Sequence, residues 1–262
     1  MGTISPRRRV PMPKSLKAKL REGKPLLGTL VSLPSPEIAE VLCDAGFDWL
    51  FIDMEHGLLG YADTQRIIQT AGAICPCLVR VPANDPSSIS KALDTGAAGL
   101  IFPHINGAEE ARAAVRAAKY PPQGTRSVGL ARAQGYGAFL KESFERDNQE
   151  AVLVAQAEHI DAAVGIENII SVAGLDAVFI GPYDLSASLH KPGQFEDEDV
   201  KLSIKKIRDA CALAHLPTGI MARNLDAARR FLHEGYRLIS VSSDTLLLGD
   251  TARQILSSLK FL

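Results

Sequence analysis

The feature that most limits how this chain can fold is a pattern that recurs eight times along it. Each repeat has a short apolar run, a turn with glycine or proline, and a stretch with helical periodicity. The pattern predicts strands at 27–32, 49–54, 78–81, 99–102, 152–156, 177–180, 217–220 and 238–241. Eight alternating units favour an α/β fold of the closed TIM (β/α)8 barrel type over an open doubly wound sheet, which carries fewer strands.

Helical patterns separate these strands, and most begin at Ser, Asp or Asn, the residues that cap helix N-termini. They predict helices at 36–44, 63–71, 86–94, 108–118, 225–234 and 245–259. No linker-like tract divides the 262 residues, a length that suits one barrel. We therefore expect an N-terminal arm and leading helix over 1–22, followed by a single barrel domain over 23–262. The long segment 121–148, between the fourth and fifth strands, is typical of a lid or an interface.

Composition excludes several classes of partner. The net charge is −1, and the longest basic run is Arg7-Arg8-Arg9, so no nucleic-acid partner is indicated. No stretch reaches the roughly 20 apolar residues that span a bilayer, and the N-terminus has no signal-type segment. The four cysteines match neither a disulfide framework nor a zinc site, which favours buried free thiols. We expect a cytoplasmic protein without membrane contact.

Two acidic residues follow neighbouring predicted strands. Glu158 comes after the fifth strand, and Asp184 follows the sixth strand and Gly181-Pro182. Active-site groups of such barrels lie at the carboxyl ends of the strands, and adjacent strands are about 4.8 Å apart, so both carboxylates could bind one ion. Hard oxygen ligands suit Mg²⁺ or Mn²⁺ better than Zn²⁺. The alternative is that Asp184 only caps the helix that follows.

Basic side chains follow other strands at the same end of the barrel. His56 is the favoured acid–base group because imidazole titrates near neutral pH. His159 and His104 are alternatives, although His159 adjoins Glu158 and is expected to point the other way. Arg80 offers a fixed positive charge for a carboxylate or an oxyanion, or else forms a salt bridge to Asp53 or Glu55.

Six segments together carry a resemblance to a known family. They are FDWLFIDMEHG (47–57), LVRVP (78–82), KYPPQGTRSVG (119–129), AQAEHIDAA (155–163), VFIGPYDLSASL (178–189) and SVSSDTLLL (240–248). In this order they resemble the HpcH/HpaI family of metal-dependent pyruvate aldolases, over roughly residues 20 to 260. The resemblance implies a barrel of the phosphoenolpyruvate/pyruvate-binding type.

The resemblance also implies roles for individual residues. Glu158 and Asp184 are the implied metal ligands, and His56 and Arg80 are the implied base and charge stabiliser. Asp94 matches an acid that raises the basicity of the histidine, although its predicted place at a helix end leaves Asp53 or Glu55 as alternatives. The implied binding site for the pyruvyl part of the substrate comprises Gln156, Gly181, Pro182, Tyr183 and Asp184.

The implied activity is reversible cleavage of a 4-hydroxy-2-keto acid into pyruvate and an aldehyde, through a metal-stabilised pyruvate enolate. The implied cofactor is Mg²⁺ or Mn²⁺, with Co²⁺ a further option, and the implied assembly is a hexamer, a trimer of dimers that exchange their last helix. The alternative is a condensing enzyme that uses oxaloacetate or an acyl-CoA. A Schiff-base aldolase is disfavoured because none of the twelve lysines is predicted at a strand's carboxyl end. The aldehyde is left open.

Overall fold

Each of the eight apolar runs forms a strand, and each strand pairs in parallel with the next until β8 pairs with β1. This computed structural model describes residues 15–260. The predicted TIM barrel is confirmed, and the predicted strands match the observed ones to within two residues at each end. The strands are β1 (Leu26–Val31), β2 (Trp49–Asp53), β3 (Cys77–Arg80), β4 (Gly99–Phe102), β5 (Val152–Ala157), β6 (Ala177–Ile180), β7 (Thr218–Ala222) and β8 (Leu238–Ser243).

Helices connect the strands, and several begin at the predicted capping side chains. Ser35, Asp85 and Asn224 each accept a hydrogen bond from a backbone N–H in the first turn of the helix that follows. The helices are α1 (Leu16–Arg21), α2 (Pro36–Asp44), α3 (Tyr61–Ala71), α4 (Pro86–Asp94), α5 (Ala108–Ala118), α6 (Leu140–Glu150), α7 (Ile160–Val164), α8 (Ile166–Ile170), α9 (Pro182–Ser188), α10 (Glu198–Leu213), α11 (Leu225–His233) and α12 (Asp244–Leu259), with a 3-10 helix at Arg132–Gly137.

The core has an inner part inside the barrel and an outer part between strands and helices. Inside, the Phe51 and Phe179 rings meet edge to face at 5.5 Å, and Trp49 packs beside both. Gly28 leaves room for the Trp49 indole, because a Cβ there would lie 2.4 Å from the indole. Leu16 and Leu20 of α1 join this inner core, so the leading helix closes the amino end of the barrel.

A carboxylate joins the first and last strands at the mouth of the barrel. Asp244, at the start of α12, accepts hydrogen bonds from the Ser32 backbone N–H, the Ser32 hydroxyl and the Leu33 N–H, at 2.8, 2.9 and 2.8 Å. These bonds link residues more than 200 positions apart in the chain. The β1–β8 contact is therefore fixed both by backbone pairing and by this side chain.

The two ends of the barrel carry different segments. Residues 121–148 connect α5 to β5, so they lie at the amino end of the strands and cannot form a lid over this chain's own mouth. Asp244 is the buried residue of α12, and apolar side chains farther along that helix are exposed. No helix in the part of the chain described here is long and apolar enough to cross a membrane. Residues 1–14 of the predicted N-terminal arm lie outside the described residues.

Candidate active site

The carboxyl ends of β2 to β6 bring most of the expected polar residues to one mouth. Asp53 and Arg80 are the last residues of β2 and β3, and they are paired in register. Gln156 lies near the end of β5, Glu158 follows that strand, and Asp184 lies in the first turn of α9 after β6. Because the strands are parallel and adjacent, these side chains enter the same end of the barrel.

Arg80 is held by two carboxylates. Its Nε and Nη2 donate to Asp53 Oδ1 and Oδ2 at 2.9 and 2.7 Å, and its Nη1 lies 3.0 Å from Glu55 Oε2. Burial opposes the charged form, but the hydrogen bond and charge of Asp53, followed by Glu55, raise the pKa of Arg80 overall. Arg80 is therefore a fixed cation, and both salt bridges weighed from the sequence are present.

Glu158 is almost fully buried, with a relative exposure of 2%. Burial raises its pKa, while the His104 backbone N–H and the Gln156 side chain act in the opposite direction. Oε1 accepts the His104 N–H at 2.7 Å, and Oε2 accepts from Gln156 Nε2. The carboxylate is thus fixed on both sides at the carboxyl end of β5.

His104 contacts two of the acids. Its Nε2 lies 2.8 Å from Glu55 Oε1, and its Nδ1 lies 3.2 Å from Glu158 Oε1. One ligand atom from each of these three residues lies within 4.8 Å of the others. From the sequence alone His104 is only an alternative base. The local sequence around it does not indicate a contact with Glu55 or Glu158.

Gln156 and Gly181 shape the other side of Glu158. The Gln156 side chain is buried, and its Oε1 has no hydrogen-bond partner among the described residues. A Cβ on Gly181 would lie 2.9 Å from both Cβ and Oε2 of Glu158, so the glycine provides space beside the carboxylate. Pro182 begins α9 directly after this glycine. These residues border the expected pyruvyl site.

Asp184 is exposed in the third position of α9, and within residues 15–260 its carboxylate has no hydrogen-bond or ion-pair partner. The helix-cap interpretation is therefore wrong: Gly181 is the N-cap residue, and no side chain caps this helix. Its neighbour Tyr183 packs edge to face against Phe195 at 4.7 Å. Arg223, which follows β7, donates to the Tyr183 hydroxyl at 3.4 Å.

His56 lies in the loop after β2, with 62% of its side chain exposed. Its Nε2 is 3.6 Å from Glu55 Oε2, and its backbone N–H donates to Asp53 Oδ1. His159 instead begins α7, where it accepts from the Asp161 N–H and contacts the Asp161 carboxylate. The His159 ring is therefore held at the start of α7 by Asp161.

The structure does not bring Asp94 to His56 within this chain. Asp94 is the last residue of α4, which runs back from the mouth toward the amino end of the barrel. Its Oδ1 accepts from Arg126 Nη2 at 2.7 Å and from Gln134 Nε2 at 3.2 Å. The acid nearest His56 among the described residues is Glu55, one of the alternatives considered from the sequence.

The residues at the mouth fit a divalent ion of the kind that the resemblance implies. The donor set is rich in carboxylate oxygens, with Glu158 buried and Asp184 free of other partners in the described chain. Glu158, Glu55 and His104 form a compact group of ligand atoms. The unpartnered Oε1 of Gln156 and the space left by Gly181 lie beside the same carboxylate.

Comparison with known proteins shows similarity along most of the chain. A profile of the family described as HpcH/HpaI aldolase/citrate lyase matches residues 27–250. A hydroxypyruvate/pyruvate aldolase of Sagittula stellata is 38% identical over 247 residues, covering 92% of this chain and 96% of that protein. A 4-hydroxy-2-oxo-heptane-1,7-dioate aldolase of Shigella sonnei is 36% identical over 250 residues, covering 93% and 94%.

Solved structures agree with this similarity. A crystal structure of an HpcH/HpaI aldolase/citrate lyase family protein from Burkholderia cenocepacia J2315 superposes with a TM-score of 0.90 at 35% identity, covering 94% of this chain and 98% of that one. The citrate synthase SbnG superposes with a TM-score of 0.82 at 29% identity, covering 94% and 97%. The named aldolases are thus more similar in sequence to this chain than the citrate synthase is.

Proposed function

This chain belongs to the HpcH/HpaI aldolase/citrate lyase family and is a carbon–carbon lyase, and we propose that it reversibly cleaves a 4-hydroxy-2-keto acid into pyruvate and an aldehyde. The observation that carries the proposal is the convergence of a fixed cation, Arg80, and a buried carboxylate, Glu158, on one mouth. The curated relatives that match most of this chain are named as aldolases, and two of their names include pyruvate.

Glu158 and Asp184 are the proposed protein ligands of a divalent ion, Mg²⁺ or Mn²⁺ in the first instance and Co²⁺ as a further option. When bound, such an ion supplies Lewis-acid polarisation of the keto group. Gln156, with its unpartnered Oε1, and the Gly181–Pro182–Tyr183 backbone would border the pyruvyl group. Burial of Glu158 supports this assignment because a buried carboxylate needs a compensating positive partner.

His56 is the proposed base. The C4 hydroxyl of the substrate gives its proton to the imidazole as the C3–C4 bond breaks, and the electron pair of that bond moves toward the C2 oxygen. Arg80 faces the negative charge that develops there, and it needs no reorganisation because Asp53 already holds it. Glu55, 3.6 Å from His56, is the proposed acid that supports the base in place of Asp94.

The aldehyde is the open part of the substrate. Tyr183 and Arg223 border a cavity of about 630 Å³ beside α9, which also contacts Phe195 and Met221. This cavity continues between α10 and α11, and neither Glu158 nor Arg80 lines it, so it sets no size limit for the aldehyde. The aldehyde therefore has to be identified with a substrate panel.

The test is pyruvate release from a panel of 4-hydroxy-2-keto acids that differ at C5 and beyond. We expect release to stop with EDTA and to return with Mg²⁺, Mn²⁺ or Co²⁺. The Glu158→Gln and Asp184→Asn variants should bind these ions weakly, whereas Glu167→Gln, an exposed acid on α8, should behave as the parent. EDTA-resistant cleavage trapped by borohydride would contradict the proposal. Condensation of oxaloacetate or acyl-CoA without retro-aldol turnover would favour the alternative enzyme.

A homo-oligomer, in the form of a trimer of dimers, is part of the proposal. It is supported by the large apolar side chains that α12 leaves exposed, which are Leu247, Leu248, Ile255, Leu256 and Leu259. We infer that α12 packs on a second copy of this chain. We also infer that residues 23–262 form a single barrel domain, preceded by an arm and leading helix over 1–22. Sedimentation of a Leu248→Glu/Leu256→Glu double variant should reveal smaller species, and an unchanged mass would contradict the inference.

A cytoplasmic location is also proposed. All four cysteines are buried and unpaired, and burial raises the pKa of each thiol. Such thiols are suited to a reducing compartment. Fractionation of cells that produce the tagged chain should recover it with cytoplasmic markers, and recovery in an extracellular or membrane fraction would contradict this part of the proposal.

A further inference from the structure

His104 is a chemically active side chain to which the proposed reaction assigns no role. Its two ring nitrogens face different carboxylates, with Nε2 2.8 Å from Glu55 Oε1 and Nδ1 3.2 Å from Glu158 Oε1. Glu158 is a proposed metal ligand, and Glu55 is held from its other side by Arg80. The imidazole therefore lies between a metal ligand and a carboxylate that is fixed independently.

The backbone of His104 supports this placement. Its φ is 52°, in the left-handed region that residues other than glycine seldom adopt. In this conformation the backbone N–H donates to Glu158 Oε1 at 2.7 Å, so the main chain and the ring of one residue both approach that oxygen. Backbone strain of this kind persists where surrounding contacts enforce it, and such sites are often functional.

The spacing of Nδ1 and Oε1 matches two neighbouring ligands of one ion. Ligands about 2.1 Å from an octahedral ion and at right angles to each other are about 3 Å apart. The observed separation is 3.2 Å. A second observation concerns the other oxygen of the same carboxylate: the buried Gln156, whose Nε2 donates to Glu158 Oε2, has an Oε1 without a hydrogen-bond partner among the described residues.

We propose that His104 is a third protein ligand of the divalent ion, binding through Nδ1 beside Glu158. This inference rests on the proposed function, because it concerns the same ion. Its Nε2 faces Glu55, and a metal-bound histidine commonly gives its other N–H to a carboxylate. A nitrogen donor among carboxylates favours Mn²⁺ and Co²⁺ over Mg²⁺, so His104 sets which ion the site prefers.

The test uses the full chain, stripped of metal with a chelator and titrated with Mn²⁺ alone. Free Mn²⁺ is measured by its electron paramagnetic resonance signal, and the bound ion is examined by pulsed measurements on protein with ¹⁴N- or ¹⁵N-labelled histidine. We expect a directly bound imidazole nitrogen in the parent protein. That coupling should disappear in His104→Gln and His104→Gly, with Mn²⁺ affinity at least about tenfold lower and Mg²⁺ affinity reduced less.

The glycine variant is expected to fold, because glycine accepts the left-handed backbone and keeps the N–H that donates to Glu158. A loss of nitrogen coupling in this variant therefore reports on the missing imidazole. Imidazole added to this variant should restore the nitrogen coupling. The matched control is His215→Gln. His215 also has a left-handed backbone, with φ 55°, but lies at the amino end of the barrel, so its replacement should change neither affinity nor coupling.

Two results would overturn the inference: bound Mn²⁺ without a nitrogen coupling in the parent protein, or a coupling that survives in both His104 variants. If the parent binds Mn²⁺ through Glu158 but shows no nitrogen, the proposed aldolase stands and only the ligand assignment fails. If the parent binds no Mn²⁺, or if the Glu158→Gln variant binds Mn²⁺ as tightly as the parent does, the metal site of the proposed function fails as well.

Discussion

Arg80 and Asp53 are bonded to each other as direct partners across two neighbouring strands. The last residue of β2 lies in register with the last residue of β3, and the guanidinium meets both carboxylate oxygens at 2.9 and 2.7 Å. The arginine also lies over the Phe51 ring, 5.2 Å from its centre. Its orientation is therefore set by the barrel itself, before any substrate arrives.

Replacing Asp53 with Asn should release Arg80 from this orientation. Because the pair is buried, we expect the free energy of unfolding to fall by about 2–3 kcal/mol. This is less than the usual cost of breaking a buried pair, because Glu55 still pairs with Arg80. We expect kcat for pyruvate release to fall roughly 10–100-fold. The control is Asp226→Asn, which breaks an exposed pair with Arg229 on α11 and should cost at most about 1 kcal/mol. Parent-like stability and kcat would contradict this prediction.

Replacing His56 with Ala should remove the proposed base and leave the metal site in place. We expect kcat to fall roughly 10²–10⁴-fold while Mn²⁺ affinity stays within a factor of about two, because general bases contribute on that scale. Calorimetric titration with Mn²⁺ and steady-state pyruvate release give the two readouts. His159→Ala is the control, because His159 contacts Asp161 at the start of α7. Undiminished cleavage by His56→Ala would exclude it as the base.

Replacing Gly181 with Ala should disturb Glu158 directly. The new methyl group would lie 2.9 Å from Cβ and Oε2 of Glu158, closer than such atoms approach, so the carboxylate has to move. We expect Mn²⁺ affinity to fall by about tenfold or more and kcat to fall with it. Gly107→Ala is a matched control because a Cβ at Gly107 meets no atom within 4 Å. Equal Mn²⁺ affinities for both variants would show that Gly181 does not control the site.

Lys119 gives a prediction about stability and pH. Burial, followed by the nearby charge of Lys17, lowers its pKa from 10.5 to about 8. Between these values the unfolded chain binds more protons than the folded chain, so this residue's contribution to stability improves as the pH rises. The free energy of unfolding of the parent should therefore increase relative to Lys119→Met between pH 7.5 and about pH 9.5.

The lost hydrogen bond from Lys119 to the Asn148 carbonyl is a constant offset in this comparison, so the slope with pH is the quantity to measure by urea unfolding. Lys205→Met is the control, because its side chain is exposed and pairs with Asp209 on the surface of α10. A pH-independent difference between the parent and Lys119→Met would mean that Lys119 keeps an ordinary pKa.

The barrel was predictable because its signal is local. The run Ala177–Ile180 is apolar and ends at Gly181-Pro182, and the structure begins β6 and α9 at those points. Asp85 caps α4 through its own side chain, which residue type and position alone suggest. Bounds at the carboxyl ends of β7 and β8 were less accurate, because the pairing partner rather than the local sequence determines how far a strand continues.

The site was only partly predictable because its contacts join distant residues. Strand ends pointed to Arg80 and Glu158, but the placement of His104 between Glu55 and Glu158 depends on a left-handed turn after β4 that no local residue pattern indicates. Asp94 illustrates the reverse case. Its partners, Arg126 and Gln134, lie more than 30 positions away in the segment that follows α5.

The bonds from Asp244 to Ser32 and Leu33 have a consequence for how the chain is made. The two sides of this junction are separated by more than 200 residues, and β8, which completes the pairing with β1, also comes late in the chain. A growing polypeptide can therefore assemble successive strand–helix units, but the ring stays open until residues near 244 have left the ribosome. The mouth, whose polar residues follow β2 to β6, is enclosed by a complete ring of strands only after that moment.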